Sequence, residues 1–222
     1  MHGVFCTKDV TRDLDRGPES VAARLGDLLP GSRIICLNQV HSDRIIWAED
    51  VASDEFPEAD GVISHDPDVV LCIRTADCVP VLLWANDSPI IAAVHAGWRG
   101  LALRIVEKTV GLMRASGAGN IMVSMGPSIG PCCYAVGNEV IDALAADHCQ
   151  TLDGRRSVDL HHIAAVQAQN AGVLPERIFQ IHSCTCCNKD LFFSYRRDGE
   201  HTGRNISLIG GASCSLPGLL AR

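Results

Sequence analysis

Three side chains able to bind a metal or act as a nucleophile stand at the ends of apolar runs. Cys78 precedes the run 79–85, His95 closes the run 90–94, and His41 ends a third run. Imidazole and thiolate suit Zn²⁺ or copper, and three protein ligands with one open position are typical of a catalytic metal site. The long gaps between the three residues match no local ligand signature, so spacing alone gives this site little support.

The same residues also permit chemistry without a metal. Cys78 would then be a thiolate nucleophile and His95 its base, with Asp77 or Asp60 orienting the imidazole. Because Asp77 is next to Cys78, the setting is not electropositive and does not favour a low thiol pKa. A metal ion would deprotonate the thiol directly. We therefore favour a metal site at His41, Cys78 and His95, and keep a Cys-His hydrolase as an alternative.

Two groups of arginines are candidates for binding an anion. Arg99 lies between Gly97 and Gly100, just before a helical pattern, and helix N-terminal amides with a guanidinium can hold a phosphate. Arg196 and Arg197 follow a tyrosine, and such a group can bind phosphate or stack on a base. The alternative for both groups is solvated charge at the surface.

Cysteines are numerous, with 11 in the chain. Cys184, Cys186, Cys187 and the pair 132–133 look like a second metal group, but adjacent cysteines are unusual in zinc loops, which leave two to four residues between ligands. We expect most cysteines to be reduced, buried and small apolar in character.

The composition is that of an ordinary globular chain. It has 222 residues, 47% apolar and 20% charged content, and a net charge of −7. That charge disfavours non-specific nucleic-acid binding, which depends on neutralising phosphates. No apolar run approaches the roughly 20 residues of a membrane-spanning helix, and the N-terminus lacks the apolar stretch of a signal peptide. We expect a cytoplasmic protein with a small-molecule substrate and neither a nucleic-acid nor a membrane partner.

Near-continuous valine, isoleucine and leucine runs cover 69–74, 79–85 and 90–94. Such runs are typical of strands buried on both faces in a layered structure. The short polar link 86–89 favours antiparallel neighbours.

The remaining pattern mixes strands and helices without regular βαβ alternation, which favours the α+β class. We predict strands at 33–41 and 44–47, with a tight turn at 42–43 between them. Further short strands are predicted at 4–6, 61–64, 120–124, 177–182 and 205–209. Helices are predicted at 20–29, 99–115, 138–146 and 159–171.

Several sequence blocks follow one another in a specific order. They are Asn-Gln-Val-His-Ser (38–42), Ala-Asp-Gly-Val-Ile-Ser (59–64), Thr-Ala-Asp-Cys-Val-Pro (75–80), His-Ala-Gly-Trp-Arg-Gly (95–100), Gly-Pro-Ser-Ile-Gly-Pro-Cys-Cys-Tyr (126–134), Phe-Phe-Ser-Tyr-Arg-Arg-Asp-Gly (192–199) and Thr-Gly-Arg (202–204). In this combination the sequence resembles the YfiH family. That family is also called the laccase-domain or multicopper polyphenol oxidase family, and it includes FAMIN-like purine nucleoside phosphorylases. The resemblance covers about residues 34 to 210.

The resemblance implies a single domain over 1–222 with a layered α/β/β/α fold, and a metal held by His41, Cys78 and His95. It implies phosphorolysis of adenosine, inosine and 5′-methylthioadenosine, together with adenosine deaminase activity. The partners would be a purine nucleoside and inorganic phosphate. The family is also described as copper-dependent polyphenol oxidases, which we keep as an alternative.

We assign Zn²⁺ as the expected metal, with Cu²⁺ as the alternative. The expected catalytic residues are Cys78, Asp77 and Asp60, with either carboxylate moving protons. The expected substrate-binding residues are Gln39, Arg99, Arg196 and Arg197.

The N-terminal region 1–33 departs from the family pattern. A Thr-Arg-Gly-Gly-Val-Ser-like segment is usual there, whereas this chain has Cys-Thr-Lys-Asp at 6–9. Lys8 keeps a positive charge but lacks the bidentate fork of arginine.

Overall fold

The computed structural model describes residues 3–8, 17–52, 54–144, 149–152, 154–210 and 219–221. The strands are β1 Gly3–Cys6, β2 Ile34–Cys36, β3 Ile45–Trp47, β4 Gly61–Ser64, β5 Val70–Thr75, β6 Val79–Ala85, β7 Ile91–Ala96, β8 Ile121–Met125, β9 Cys149–Leu152, β10 Arg155–Val158, β11 Ile178–Gln180, β12 Asn205–Ile209 and β13 Leu219–Ala221. The helices are α1 Pro18–Leu28, α2 Trp98–Ala102, α3 Ile105–Ala115, α4 Asn138–Leu144, α5 Leu160–Asn170 and α6 Tyr195–Asp198.

Two mixed sheets form the centre of the fold. The five-stranded sheet has the order β13-β1-β12-β5-β2, and the six-stranded sheet has the order β11-β8-β6-β7-β4-β3. The strands β6 and β7 are antiparallel neighbours, as the short link between them predicts. A separate hairpin joins β9 to β10.

Three apolar clusters show that the layers run helix, sheet, sheet, helices. Leu25 of α1 packs with Val70 on the outer face of the five-stranded sheet. Leu71 and Leu82 belong to the cluster between the two sheets. Val81, one position away on β6, packs with the helical layer of α3 and α5. This alternation explains the near-continuous apolar strands, and the expected layered α/β/β/α arrangement is confirmed.

The predicted hairpin between 33–41 and 44–47 is wrong. The strand β2 pairs with β5 in one sheet, whereas β3 pairs with β4 in the other. The connection between β2 and β3 therefore crosses from one sheet to the other. His41 lies in this crossover and has a positive φ of 59°.

The predicted single helix over 99–115 is interrupted. Arg104 adopts a left-handed conformation with φ 62° and ψ 40°, which ends α2 and starts α3. By contrast, the predicted start of α5 is confirmed, since the Asp159 side chain accepts the N–H of His162 as an N-cap,. None of the helices in the described ranges has the length and apolarity needed to cross a membrane.

We predict that Leu82→Ala lowers the free energy of unfolding by about 2–5 kcal/mol, because Leu82 is fully buried between the sheets,. Leu112→Ala is the matched control, since that leucine on α3 is 39% exposed. Urea unfolding followed by circular dichroism measures both variants. Equal midpoints for the two would contradict the assignment of Leu82 to the central core.

Candidate metal centre and adjoining pocket

Strand ends and one crossover loop bring the three expected ligands together. His95 stands near the end of β7, opposite Pro80 of β6, and Cys78 immediately precedes β6. The loop after β2 adds His41. The ligand atoms of His41, Cys78 and His95 all lie within 4.8 Å of one another, and the two imidazole rings meet edge to face at 4.7 Å between centroids.

The carboxylate of Asp60 positions two of these residues. It is fully buried and accepts the Nδ1–H of His95 at 2.7 Å and the backbone N–H of His41 at 3.0 Å. It also accepts both the backbone N–H and the hydroxyl of Ser42, at 2.6 and 2.8 Å. Burial opposes ionisation, but the bonds from His95 and Ser42 lower the pKa of Asp60,. The Nδ1 bond to Asp60 leaves Nε2 of His95 for the centre.

Cys78 and His95 stabilise each other's charged forms. Burial opposes ionisation of the thiol, but the charge of His95 and a hydrogen bond from His41 lower the pKa of Cys78 to about 6. Burial likewise opposes charging of His95, but Cys78 and Asp60 raise its pKa to about 9. The neighbouring Asp77 does not favour a low thiol pKa, but its carboxylate binds Thr185 and Arg196, and the two imidazoles outweigh it at Cys78.

Asp77 is a bracing residue in a strained conformation. Its φ is 91°, and one carboxylate oxygen accepts the Thr185 hydroxyl at 2.6 Å. The other oxygen accepts the backbone N–H of Arg196 at 2.7 Å. Asp77 directly precedes Cys78, so these bonds connect the start of β6 to the loop at Thr185 and to α6. Both carboxylate oxygens of Asp77 are engaged in these bonds.

The donor set fits a tetrahedral metal with one open position. Two imidazoles and a thiolate are the ligand types that bind Zn²⁺, and copper accepts the same donors. Gly97 supports this fit: a Cβ there would lie 3.0 Å from Cys78 Sγ and 3.2 Å from His41 Cδ2. The backbone at Gly97 thus leaves room for the two ligand side chains.

A pocket of about 640 Å³ opens directly onto this centre. Its wall combines cations, aromatic rings and the three ligand side chains. The lining residues are Gln39, His41, Arg74, Ala76, Asp77, Cys78, His95, Trp98, Arg99, Tyr134, Tyr195, Arg196 and Arg204.

Two of the lining arginines stack on neighbouring aromatic rings. The guanidinium of Arg99 lies 4.3 Å from the ring centroid of Trp98. That of Arg196 lies 5.1 Å from the Tyr134 ring, and its Nη1 donates to the carbonyls of Cys133 and Ala135. Stacking limits the motion of both cations and presents them at the pocket wall.

The structure does not bring every expected residue to the pocket. Arg197 is absent from the lining, because its guanidinium pairs with Asp198 and donates to the carbonyl of Thr185. We therefore correct its assignment from substrate contact to loop support.

Asp60 lies behind His95 rather than on the pocket wall, so its expected role as a proton carrier to substrate is replaced by positioning. Lys8 donates to the carbonyl of Lys189 instead.

Gln39 lines the pocket, but its amide is already paired. It donates to the carbonyl of Arg74 at 2.7 Å and accepts the N–H of the same residue at 2.9 Å. Its position is thereby fixed at the junction between the crossover loop and β5. A ligand contact from Gln39 would use the second N–H of the amide or the second lone pair of its oxygen.

Besides the small Ala76, five lining residues were not among the site residues assigned from the sequence: Arg74, Trp98, Tyr134, Tyr195 and Arg204. Arg74 carried a usable signal, since it is the one charged residue at the end of the apolar run 69–74. The other four lie in the sequence blocks described above, but only the tertiary fold aims them at one space.

Sequence comparison finds known relatives over most of the chain. The family model described as multi-copper polyphenol oxidoreductase laccase matches residues 5–212. "Purine nucleoside phosphorylase YlmD" of Geobacillus stearothermophilus is 35% identical over 201 residues, covering 82% of this chain and 73% of that protein. "Purine nucleoside phosphorylase YfiH" of Escherichia coli K12 is 37% identical over 186 residues, covering 80% and 74%.

Solved structures show the same fold. The hypothetical protein YfiH of Bacillus licheniformis superposes with a TM-score of 0.81 at 28% identity, covering 93% of this chain and 91% of that one. YlmD of Geobacillus stearothermophilus gives 0.78 at 32% identity, covering 87% and 80%. The chain belongs to the multi-copper polyphenol oxidoreductase laccase family, the YfiH family, as its sequence blocks indicate.

We predict that Asp60→Asn weakens zinc binding by about 10–100-fold, since losing the partner of a ligating histidine has that typical effect. The amide would present a poorer acceptor to His95 and to the crossover loop. Asp43→Asn is the control, because that carboxylate makes only a partly exposed pair with Lys108. Competition with a fluorescent chelator measures both affinities, and equal values would refute the positioning role.

A second prediction concerns Gly97. Gly97→Ala should weaken zinc binding, because its Cβ would press on Cys78 and His41 and overpacking of this kind costs about 1–3 kcal/mol. Gly111→Ala is the matched control, since nothing lies within 4 Å of its added Cβ on α3. The control should keep the zinc affinity and gain up to about 1 kcal/mol of helix stability. Zinc titration and thermal unfolding of the two variants provide the comparison.

Proposed function

We propose that this protein is a metal-dependent purine nucleoside phosphorylase. The observation that carries the proposal is the composition of one pocket, in which arginines, aromatic rings and a His-Cys-His donor set face the same space. A nucleoside and phosphate need these features together: cations for the anion, flat apolar surfaces for the base, and an electrophilic centre between them. The names of the relatives support the same activity.

The phosphate would bind on the arginine side of the pocket. Arg99 follows the first residue of α2, and it forms no salt bridge with any described residue. Arg196 and Arg204 face the same space. Guanidinium groups bind phosphate oxygens in bidentate pairs. A phosphate held by these side chains reaches the sugar with its orientation already restricted, which lowers the entropic part of the barrier.

The base would bind against the aromatic side. Tyr134, Tyr195 and Trp98 line the pocket, and Tyr195 leaves 51% of its surface exposed. A purine can stack on such rings without any rearrangement of the core. Burial, together with the nearby charge of Cys78, raises the pKa of Tyr134 well above its usual value, so its hydroxyl stays protonated and can donate a hydrogen bond at neutral pH.

His41, Cys78 and His95 would hold the metal. When bound there, a divalent ion supplies Lewis-acid polarisation and one open coordination position. Asp60 keeps His95 in the orientation that this requires. In the reaction, a phosphate oxygen forms a bond to C1′ of the ribose while the C1′–N9 bond breaks. The base leaves with the bonding pair and takes up a proton, which balances the proton that the attacking hydrogen phosphate loses, and the products are the free base and ribose 1-phosphate.

Adenosine, inosine and 5′-methylthioadenosine are the substrates that we propose. Adenosine deamination at the same centre is the further activity that the family resemblance implies. It requires a group that moves protons near C6 of the purine. The oxygens of Asp60 and Asp77 are engaged by their neighbours, so we place phosphorolysis first. Adenosine incubated with and without phosphate separates the activities, since phosphorolysis yields adenine and deamination yields inosine.

One observation favours a Cys-His hydrolase as the second candidate. The pKa of Cys78 is lowered to about 6, and His95 is oriented by Asp60 in the manner of a catalytic triad,. The nearby imidazole of His41 favours the metal site instead, because a catalytic triad requires only one histidine. Zinc content decides between the metal site and the hydrolase: Cys78→Ser should lose the zinc ion of this centre, and a zinc content equal to that of the wild type would sink the ligand assignment.

We predict that Arg99→Ala lowers kcat/KM for inosine phosphorolysis by roughly 10–100-fold. A hydrogen bond to a charged group contributes about 1.5–3 kcal/mol, and most of the effect should appear in KM for phosphate. Arg104→Ala is the control, because that arginine pairs with Glu107 on the surface. Chromatography of hypoxanthine and ribose 1-phosphate measures both.

The polyphenol oxidase alternative predicts a different reaction. It requires copper and electron transfer between metal centres, whereas this pocket offers one thiolate and two imidazoles. Metal-replete protein that forms no ribose 1-phosphate but oxidises a phenol with copper would overturn the phosphorylase proposal.

A further inference from the structure

A second group of sulfur atoms lies outside the pocket lining. Cys132 and Cys133 follow β8, and Cys184 and Cys187 follow β11. The thiol sulfurs of these four residues all lie within 4.8 Å of one another. The expectation that most cysteines are buried apolar side chains holds for Cys6, Cys36 and Cys72, but not for this group, which is partly exposed.

The spacing of the sulfurs matches a tetrahedral centre. Cys132 Sγ and Cys133 Sγ lie 3.7 and 3.4 Å from Cys187 Sγ. Four thiolates at about 2.3 Å from one zinc ion lie about 3.8 Å apart. Cys184 and Cys187 have two residues between them, the usual spacing of a zinc-binding loop. Adjacent cysteines are unusual in zinc loops, and Cys132 and Cys133 are adjacent. Both of their sulfurs nevertheless lie at distances from Cys187 Sγ that one zinc ion would span, whereas Cys186, the neighbour of Cys187, is not one of the four.

The backbone around the group is arranged to stabilise a thiolate. The N–H of Gly130 donates to Cys184 Sγ at 3.3 Å, and the backbone N–H of Cys187 is also hydrogen-bonded to this thiol. Gly130 also leaves space for the sulfurs, since a Cβ there would lie 3.3 Å from Cys132 Sγ. Amide bonds of this kind to a ligand sulfur are the outer contacts expected around a metal-thiolate centre.

The group joins two loops that shape the pocket. Thr185 donates its backbone N–H to Ser128 and its hydroxyl to Asp77, next to Cys78. On the other loop, Tyr134 directly follows the cysteine pair and lines the pocket. A cross-link between the loops would therefore hold the base-binding wall against the catalytic centre.

We propose that Cys132, Cys133, Cys184 and Cys187 form a structural zinc site, separate from the His41, Cys78 and His95 centre. Four protein ligands close the coordination sphere, so this site has no open position for chemistry. The exposed Cys132 and Cys187 let the ion enter from solvent. The site is independent of the proposed phosphorolysis, because it is argued from the sulfur positions alone.

The test is metal content of the full chain, purified in the presence of reductant and dialysed against zinc-free buffer. The wild type should hold two zinc ions per chain by elemental analysis. Cys187→Ser and Cys132→Ser should each hold one, and so should Cys78→Ser. Cys186→Ser is the matched control and should retain two, because Cys186 lies between two ligands in the chain but is not one of the four residues whose sulfurs come together.

A measurement on the wild type covers the case in which a variant misfolds. Cobalt loaded in place of zinc should show the intense visible bands of a four-thiolate site, and in zinc-loaded protein the four thiols should resist alkylation until a chelator removes the metal. Unchanged zinc in both Cys187→Ser and Cys132→Ser would overturn the proposal, whether the wild type holds one zinc ion per chain or two. A disulfide within the group in the reduced preparation, or the absorption of an iron-sulfur cluster, would also overturn it.

Discussion

The burial of one carboxylate is the constraint on which the metal centre depends. Asp60 immediately precedes β4 of the six-stranded sheet, yet it binds the crossover loop that leaves β2 of the five-stranded sheet. Moving an unpaired carboxylate into the interior is prohibitive, so the charge persists only because hydrogen bonds surround it. These bonds fasten the two sheets together at the point where His41 and His95 meet. Stability of the fold and geometry of the ligands therefore rest on the same interaction.

The pocket exists because several strands of both sheets end at the same place. Thr75 at the end of β5 is paired with Asn205 at the start of β12, and Arg74 and Arg204, which precede these two residues in the chain, both line the pocket. Cys78, just before β6, and His95, near the end of β7, line the same pocket. Buried strands provide rigidity, and their polar ends provide the reactive groups, so the site combines precision with access.

Long-range bracing then completes the wall. Asp77 reaches Thr185 and the backbone of Arg196, and Arg197 supports the same loop by donating to backbone carbonyls. Cys184 of the four-cysteine group directly precedes Thr185 in the chain. Residues that looked catalytic or substrate-binding in the sequence thus divide into two kinds, those that face the pocket and those that hold the facing residues in place.

The layered class, most strands, the start of α5 and the identities of the candidate ligands could be predicted from the residues, because these follow from local periodicity, capping residues and recognisable blocks. Packing between distant elements was needed to show that β2 and β3 belong to different sheets, that Arg104 divides the helix, and that Asp60 faces away from the pocket. It also decided which sulfurs come together, since 132–133 and 184–187 are distant in the chain. Contacts of this kind depend on how separate elements pack, and no local pattern encodes them.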